Sequence, residues 1–392
     1  MKILQIISCG SITGGAENIV FQTNKVLRKK GHTVKTLSSD LFPNRESFSD
    51  YTFKSIDPRN PFKVIFYLFN FSAYFNLKKI LSEYQPDIVH LHVMNQLTPS
   101  VLFPLRNYPT IMTLHGPEPF LSSQLLWFLQ PSSFRDYSFE KKDLTLRGKF
   151  DLYYFSLLQR NIYKLVLKNV DVFIAPSKYM AKEAKKDLKR VRQIYNFINP
   201  LTFSKINKKH NVLYVGRLTP VKGVNYLIEA MPKVVKRFPS IQLTIVGDGD
   251  SKLSLENKIK SLNLKNNVKI IGWIESKKLK KYYEYASVIV IPSIWPENFP
   301  TVCNEAMSVG RPVIGTNVGG VPEIIDDKKN GFLVQPKNSR EISDKILYLF
   351  SHENVLEEMS KNARKKAELF GIEKHVADLE NIYKQVTKKY SK

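Results

Sequence analysis

Cysteine is nearly absent: the 392 residues include only Cys9 and Cys303. Two thiols cannot build a disulfide framework, and their scarcity suits a reducing compartment. Long apolar runs are missing too. The most apolar stretch, VIFYLFNFSAYF (64–75), is interrupted by Asn70 and Ser72. It falls short of the ~18–20 residues that a membrane-crossing helix needs. MKILQIIS at the start has too short an apolar run for a secretory leader and reads as a buried strand. The expected location is therefore the cytoplasm. Acidic residues are scarce, with 35 Asp and Glu against 60 Lys and Arg and a net charge of +25. The basic residues are scattered through both halves, with no arginine-rich arm, zinc-finger spacing or RNA-recognition motif. This argues against nucleic acid as a partner. An anionic membrane surface, attracting the chain by about 1 kcal/mol per well-placed Lys or Arg, is the better candidate.

Hydrophobic residues make up 43% of the chain, which suits a globular protein. The length favours two domains. Short apolar runs alternate with longer amphipathic ones: KILQIIS then AENIVFQTNKVLRKKG, DIVHLH, PTIMTLHG, and VDVFIAPS then KYMAKEAKKDLKR. This is the pattern of a parallel sheet covered by helices on both faces. After the polar, basic FSKINKKHN (203–211) it restarts with VLYVGRL, VNYLIEAMPKVVKRF, IQLTIVGDG, NVKIIGW, SVIVIPS and RPVIGTNVGG. The reading is an α/β protein of two doubly wound domains, 1–205 and 206–372, with a C-terminal helix at about 373–392 that packs back on the first. Ligands of such sheets bind beyond the carboxyl ends of the strands, so a cleft between the domains is the expected site.

Glu297 and Glu305 lie eight positions apart in ENFPTVCNEAMSVG. Pro296 and Pro300 exclude a helix through the first acid, which belongs to a loop after the strand SVIVIPS. A helix from about Thr301 to Val309 carries the second. Its first amides, of Thr301 and Val302, form an anion site between the two acids. Two carboxylates around an anion hole suit a nucleotide sugar. The plainer alternative is that Glu305 favours its own helix start and Glu297 is solvated. In YVGRLTPVKG (214–223), Gly216 turns the chain at a strand end, and Arg217 and Lys222 are placed to neutralise a diphosphate. Each such contact is worth about 4 kcal/mol at 4 Å and an effective dielectric near 20, before desolvation. Surface charges are the alternative. In SCGSITGGAEN (8–18), Gly14 and Gly15 precede a helix and admit a phosphate to its amides, or make a simple tight turn. His115 closes the strand of TIMTLHG, where it can hydrogen-bond a sugar. His90 and His92 alternate on a strand with no third metal ligand at sensible spacing, and read as structural or cleft-lining. Asp248-Gly249-Asp250 resembles a metal-holding aspartate pair, but its place after a strand reads as a turn.

These motifs, taken together, resemble the retaining glycosyltransferases of family 4 (glycosyl transferases group 1), which have the GT-B architecture of two facing Rossmann-like domains. The resemblance runs from GGAEN and TLHG through VGRLTPVKG, IVGDG and IIGW to ENFPTVCNEAMSVGRPVIGTNVGGVPEII. It implies transfer of a sugar from a nucleotide-sugar donor to a hydroxyl of a glycan or lipid-linked acceptor, with the anomeric configuration retained. Arg217 and Lys222, beside Gly216, would grip the donor diphosphate. Glu297, with the amides of Asn298 and Phe299, would hold the donor sugar, the Thr301 and Val302 amides the phosphate, and Glu305 the ribose. Gly15 would approach the diphosphate from the other domain, and His115 would lie near the sugar. No metal and no cofactor are implied, because Arg and Lys replace the cation and the nucleotide sugar is a substrate. Another GT-B activity, an epimerase or a phosphorylase, is the alternative. Asn18 stands where the family often has Arg or Lys, YNFIN (195–199) replaces a common Asn-Gly-Val-Asp, and DGD a common Asp-Gly-Pro. The acceptor side holds the aromatic segments 61–81 and 120–168. In the latter, Phe150, Tyr153, Tyr154, Leu157, Leu158, Ile162 and Leu165 follow helical spacing, as a core-facing stripe or a membrane-docking one.

Overall fold

The computed structural model describes residues 1–42, 44–57, 63–92, 97–116, 158, 161–198, 201–206 and 210–390. The chain divides into two compact units, one of Met1–Tyr195 with Ile372–Lys392 and one of Asn196–Gly371.

The first unit is built on seven parallel strands: β1 (Lys2–Cys9), β2 (Thr33–Ser39), β3 (Tyr51–Phe53), β4 (Ile88–Leu91), β5 (Thr110–Thr113), β6 (Val172–Ala175) and β7 (Val191–Gln193). Their spatial order is β3-β2-β1-β4-β5-β6-β7. β1 is buried from Ile3 to Cys9, as a central strand covered on both faces must be. The order reverses between β1 and β4, so the loops after these two strands open into the crevice where doubly wound sheets bind ligands. The C-terminal helix Ile372–Thr387 belongs to this unit.

The second unit has six parallel strands: β8 (Asn211–Val215), β9 (Gln242–Val246), β10 (Val268–Gly272), β11 (Val288–Ile291), β12 (Val313–Thr316) and β13 (Gly331–Val334). The order β10-β9-β8-β11-β12-β13 reverses between β8 and β11. All four residues of β11 are buried, and Val288 and Val290 belong to a core with Leu227, Met231 and Ile346.

The first compact unit gives way to the second at Asn196, earlier than residue 205. The stretch from Asn196 onward bonds into the second unit. Ile198 N donates to Phe370 O at 3.1 Å and Ser204 N to Val309 O at 3.2 Å. Arg311, with no exposed surface, donates to the carbonyls of Ser204 and Lys205, and also to those of Tyr283 and Glu284. Sequence reading placed the domain boundary at the basic run and saw Arg311 only as part of a motif. A guanidinium satisfied by backbone carbonyls cannot be told from a surface charge by sequence pattern.

The apolar run 64–75 folds as two helices, Lys63–Leu68 and Phe71–Tyr84. Asn70 separates them and caps the second, its Oδ1 accepting from Ala73 N at 3.1 Å. Among the described residues no helix is long and apolar enough to cross a membrane. Phe150, Tyr153, Tyr154 and Leu157 of the expected stripe lie outside the described residues. Leu158 and Leu165 are 51% and 67% exposed, and Tyr163 and Val166 supply the buried face instead. For Leu158 and Leu165 the core-facing reading is corrected: residues 163 and 166 set the face that meets the core.

Candidate active site

The second unit assembles its site at the β8/β11 reversal. After β8, Arg217 is exposed, and its carbonyl accepts from Tyr214 Oη at 2.9 Å. Lys222 ends the short turn Pro220–Lys222, and Gly223 follows with φ +66°. A Cβ on Gly223 would lie 2.0 Å from the Pro292 carbonyl oxygen, so only glycine lets this turn press against the end of β11. Ile294 N donates to Val221 O at 2.9 Å across the same join.

This close approach carries Lys222 to Glu297. Lys222 Nζ donates to Glu297 Oε1 at 2.6 Å, and Ser293 Oγ donates to the same oxygen at 2.6 Å. The backbone of Glu297 is fixed as well. Gly320 N donates to its carbonyl at 2.6 Å, and Gly319, at φ +57°, leaves no room for a Cβ, which would fall 2.3 Å from that oxygen. Burial pushes the Glu297 carboxyl up. The Lys222 charge and hydrogen bond, the Ser293 hydroxyl and the Arg217 charge outweigh it and hold the carboxyl below the ordinary range. Glu297 is thus ionised at neutral pH. Two cations against its one negative charge leave the group set for an anion.

Glu305 behaves in the opposite way. It lies in the helix Thr301–Ser308, where Tyr283 Oη donates to its Oε2 at 2.7 Å. Burial raises its carboxyl above the ordinary value, against the hydrogen bonds from Tyr283 and Thr301. Pro300 precedes this helix and offers no side-chain cap. The Thr301 and Val302 amides therefore open the helix between the two acids, on the dipole end that favours an anion. Phe299 is buried, its ring 5.3 Å from Phe370, and anchors the loop between Glu297 and the helix. Asn298 is the residue between them.

The structure brings Lys222 and Glu297 into contact and sets Arg217, Glu305, Thr301 and Val302 on elements around them. Sequence reading missed Ser293, Tyr283 and the Gly319-Gly320 pair. The signal for the glycines was the Gly-Gly in the motif, a doublet that marks close backbone approach.

In the first unit, Gly15 opens the helix Gly15–Lys29, with Gly14 before it in extended backbone and no side-chain cap. His115 follows β5, and its Nε2 lies 2.9 Å from His92 Nδ1. His90 and His92 are buried in the strand region. Asp248 accepts from Gly249 N at 2.8 Å and pairs with Lys252 at 3.6 Å. Gly247 and Gly249 both have positive φ, at +146° and +152°, as a turn requires.

Two doubly wound parallel sheets, with cations, acids and an open helix start at the reversal of the second, define the GT-B class of sugar-transferring enzymes. The family model for glycosyl transferases group 1 matches residues 202–366, and that for glycosyltransferase family 4 matches residues 13–200. An uncharacterized glycosyltransferase of Methanocaldococcus jannaschii is 37% identical over 50% of this chain and 54% of its own, so this chain spans about half the length of that relative. The N-acetyl-alpha-D-glucosaminyl L-malate synthase of Bacillus anthracis is 23% identical over 98% of both chains. Among solved structures, the sucrose-phosphate synthase of Thermosynechococcus elongatus superposes with a TM-score of 0.76 at 21% identity over 99% of each chain. An Anabaena protein in complex with UDP and glucose gives 0.67 at 19%, covering 100% of this chain and 99% of that one. The chain belongs to the group 1, family 4 glycosyltransferases and is a transferase of that class.

Proposed function

We propose that this glycosyltransferase moves a sugar, with retention, from a nucleotide-sugar donor to a hydroxyl of a glycan or lipid-linked acceptor. The observation that carries the reading is the Lys222–Glu297 pair at 2.6 Å, at the sheet reversal and beside an uncapped helix start. In this reading Lys222 and Arg217 grip the donor diphosphate, and the Thr301 and Val302 amides add donors to it. Glu297 accepts from sugar hydroxyls and, through its own charge, keeps the Lys222 ammonium oriented. Glu305 and the Asn298 and Phe299 amides hold the ribose and sugar. In the first unit, Gly15 admits phosphate to a helix start and His115 meets the sugar. The solved relative with UDP and glucose supports a uridine nucleotide and a hexose as the first donors to try.

The bond from the anomeric carbon to the diphosphate oxygen breaks, and the bond to the acceptor oxygen forms on the same face. The acceptor proton passes to a donor phosphate oxygen. Negative charge grows on the diphosphate as it leaves, so the cations bind the transition state more tightly than the ground state. No carboxylate nucleophile is required, and the cations fill the place of a divalent metal.

A thermal-shift screen with UDP-, GDP- and ADP-sugars, followed by donor consumption with and without chelator, tests this. One of these donors is expected to raise the melting temperature and to be consumed with or without chelator. Loss of activity in chelator would overturn the metal-free reading and return attention to Asp248 and Asp250. Attraction of the basic chain to anionic lipid is a separate expectation. Absence of salt-sensitive flotation with anionic vesicles would remove it.

A further inference from the structure

The buried guanidinium of Arg311 serves two helix ends within the second unit. Its Nε donates to Tyr283 O at 3.1 Å and its Nη2 to Glu284 O at 2.9 Å, both in the last turn of the helix Ser276–Tyr285. Its Nη1 donates to Val309 O at 3.1 Å, and its backbone N to Ala306 O at 2.9 Å, at the end of the helix Thr301–Ser308. The Ser204 and Lys205 carbonyls and the Ser204 hydroxyl accept from the same group. The last carbonyls of a helix lack partners within it and form the negative end of its dipole, where a cation is favoured. Gly310, at φ +84°, turns the chain so that Arg311 reaches back over the second helix.

The two helices that share this cation also share a bond between side chains. Tyr283 comes from the first and Glu305 from the second, and Tyr283 Oη donates to Glu305 Oε2 at 2.7 Å. Tyr283 thus bonds Arg311 through its carbonyl and Glu305 through its hydroxyl. Its ring is 1% exposed, so the hydroxyl is placed by the helix and not by rotation of the side chain. Glu305 is only half-buried and takes a second hydrogen bond from the Thr301 side chain. A carboxylate has about four acceptor positions, so two bonds orient the group and leave positions for the hydroxyls of a ligand. A buried guanidinium is costly unless its donors are paired. An apolar side chain at 311 would leave the helix-end carbonyls unpaired and the separation of the two helices unset.

From this geometry we propose that Arg311 is a positioning residue which, through Tyr283, holds the Glu305 carboxylate in the orientation that accepts the ribose hydroxyls of the donor nucleotide. The clamp follows from the hydrogen bonds alone, and the ribose as the group that Glu305 receives rests on the reading of function above. No member of the clamp touches the diphosphate or the sugar in that reading, so its loss should be felt at the ribose.

Titration calorimetry of the full chain with UDP, GDP and ADP, each beside its 2′-deoxy and 3′-deoxy forms, isolates the ribose. For the nucleotide that binds, removal of a hydroxyl held by Glu305 should weaken the wild type about 10- to 100-fold, as for a hydrogen bond to a charged group. Tyr283→Phe and Arg311→Lys should each shrink that penalty about 3- to 5-fold, through weaker binding of the ribonucleotide and not of the deoxy form. The double variant should lose no more than the larger single loss, because one residue acts through the other. Equal weakening of ribo and deoxy forms would overturn the proposal, as would an unchanged penalty in both variants or additive losses in the double one. A second measurement needs no nucleotide: the ¹³C titration of the Glu305 carboxyl, assigned by its loss in Glu305→Gln. The Tyr283 hydroxyl bonds the charged form and lowers that titration, so Tyr283→Phe should raise it. Arg311→Lys should raise it as well, and an unmoved titration there would overturn the clamp. Should Arg311→Lys fail to fold, Ser204→Ala, which removes one hydroxyl bonded to the guanidinium, takes its place with a smaller shift in the same sense, and no shift would overturn the clamp. A titration that moves as expected, in a wild type that binds ribo and deoxy forms equally, would remove only the ribose from the proposal.

Discussion

The two sheets reverse their strand order at equivalent places, yet the side chains gathered there differ in kind. At the β8/β11 reversal stand formal charges, with Lys222 on Glu297 and Arg217 nearby. At the β1/β4 reversal stand neutral rings and an amide, Gln5 with His92, and no formal charge in the hydrogen bonds that join them. The charged set can respond to a ligand whose own charge changes during reaction. The neutral set can only orient, since burial makes protonation of its rings expensive. One fold repeated in one chain thus provides a responsive pole and a rigid one.

The largest effect that would break this contrast lies at the charged pole. Glu297→Ala or Arg217→Ala is expected to lower turnover by about 10²–10³, equivalent to ~3–4 kcal/mol. Near-normal initial rates of donor consumption in either variant would show that the charges do not respond to the reaction.

Acid should separate the poles next. Burial lowers His115 to about 3 and His375 to about 4, while an unfolded histidine titrates near 6.5. From about pH 6.5 down to about 4, the unfolded chain binds protons that the folded first unit refuses, so its stability falls as pH falls. For His375 alone this amounts to on the order of 3 kcal/mol. Glu297, held below the ordinary carboxylate range, contributes stability above that range and loses it only as pH drops through its own lower value. Glu305 has the opposite sign: its raised value favours the fold below the ordinary range, and that contribution is gone once pH rises through its folded value. Hydrogen exchange between pH 7 and 5 should therefore show the first unit losing protection before the second. Simultaneous loss would contradict the contrast.

A smaller effect sharpens the geometry of the charged pole. Gly319→Ala puts a methyl group against the Glu297 carbonyl at positive φ and should cost about 1–3 kcal/mol, read as a lower melting temperature. A melting temperature equal to wild type would mean that the loop has room to spare. The smallest change is Tyr283→Phe, which removes the hydroxyl bonded to Glu305 at 2.7 Å. Donor affinity should weaken by about 1 kcal/mol, measured by titration calorimetry, with little change in fold.

Much of the charged pole was legible because its parts are local. Arg217 and Lys222 follow β8 within a few residues, Glu297 lies between two prolines that announce the loop, and Glu305 sits in the helix that starts after the second of them. The central strands β1, β4, β8 and β11 were legible as apolar runs. β2, with the alternating TVKTLSS, and the edge strands β3, β7 and β13 were not, since short edges carry little apolar signal. The neutral pole was illegible for a different reason. His90 and His92 looked like structural residues, and Gln5 and Tyr383, 378 positions apart, meet only in the fold. Buried polar groups announce themselves by their partners, and sequence does not show partners.

The helix Ile372–Thr387 belongs to the first unit although the whole second unit is encoded before it. A chain emerging from the ribosome can complete Asn196–Gly371 while Gln5 and His90 still await Tyr383. The earlier-made unit is then the later one to close, and its polar contacts with Tyr383 form only after the second unit has been made. Loss of the helix Ile372–Thr387 would strand buried polar atoms of β1 and β4, so a deletion after the second unit would damage strands made before it.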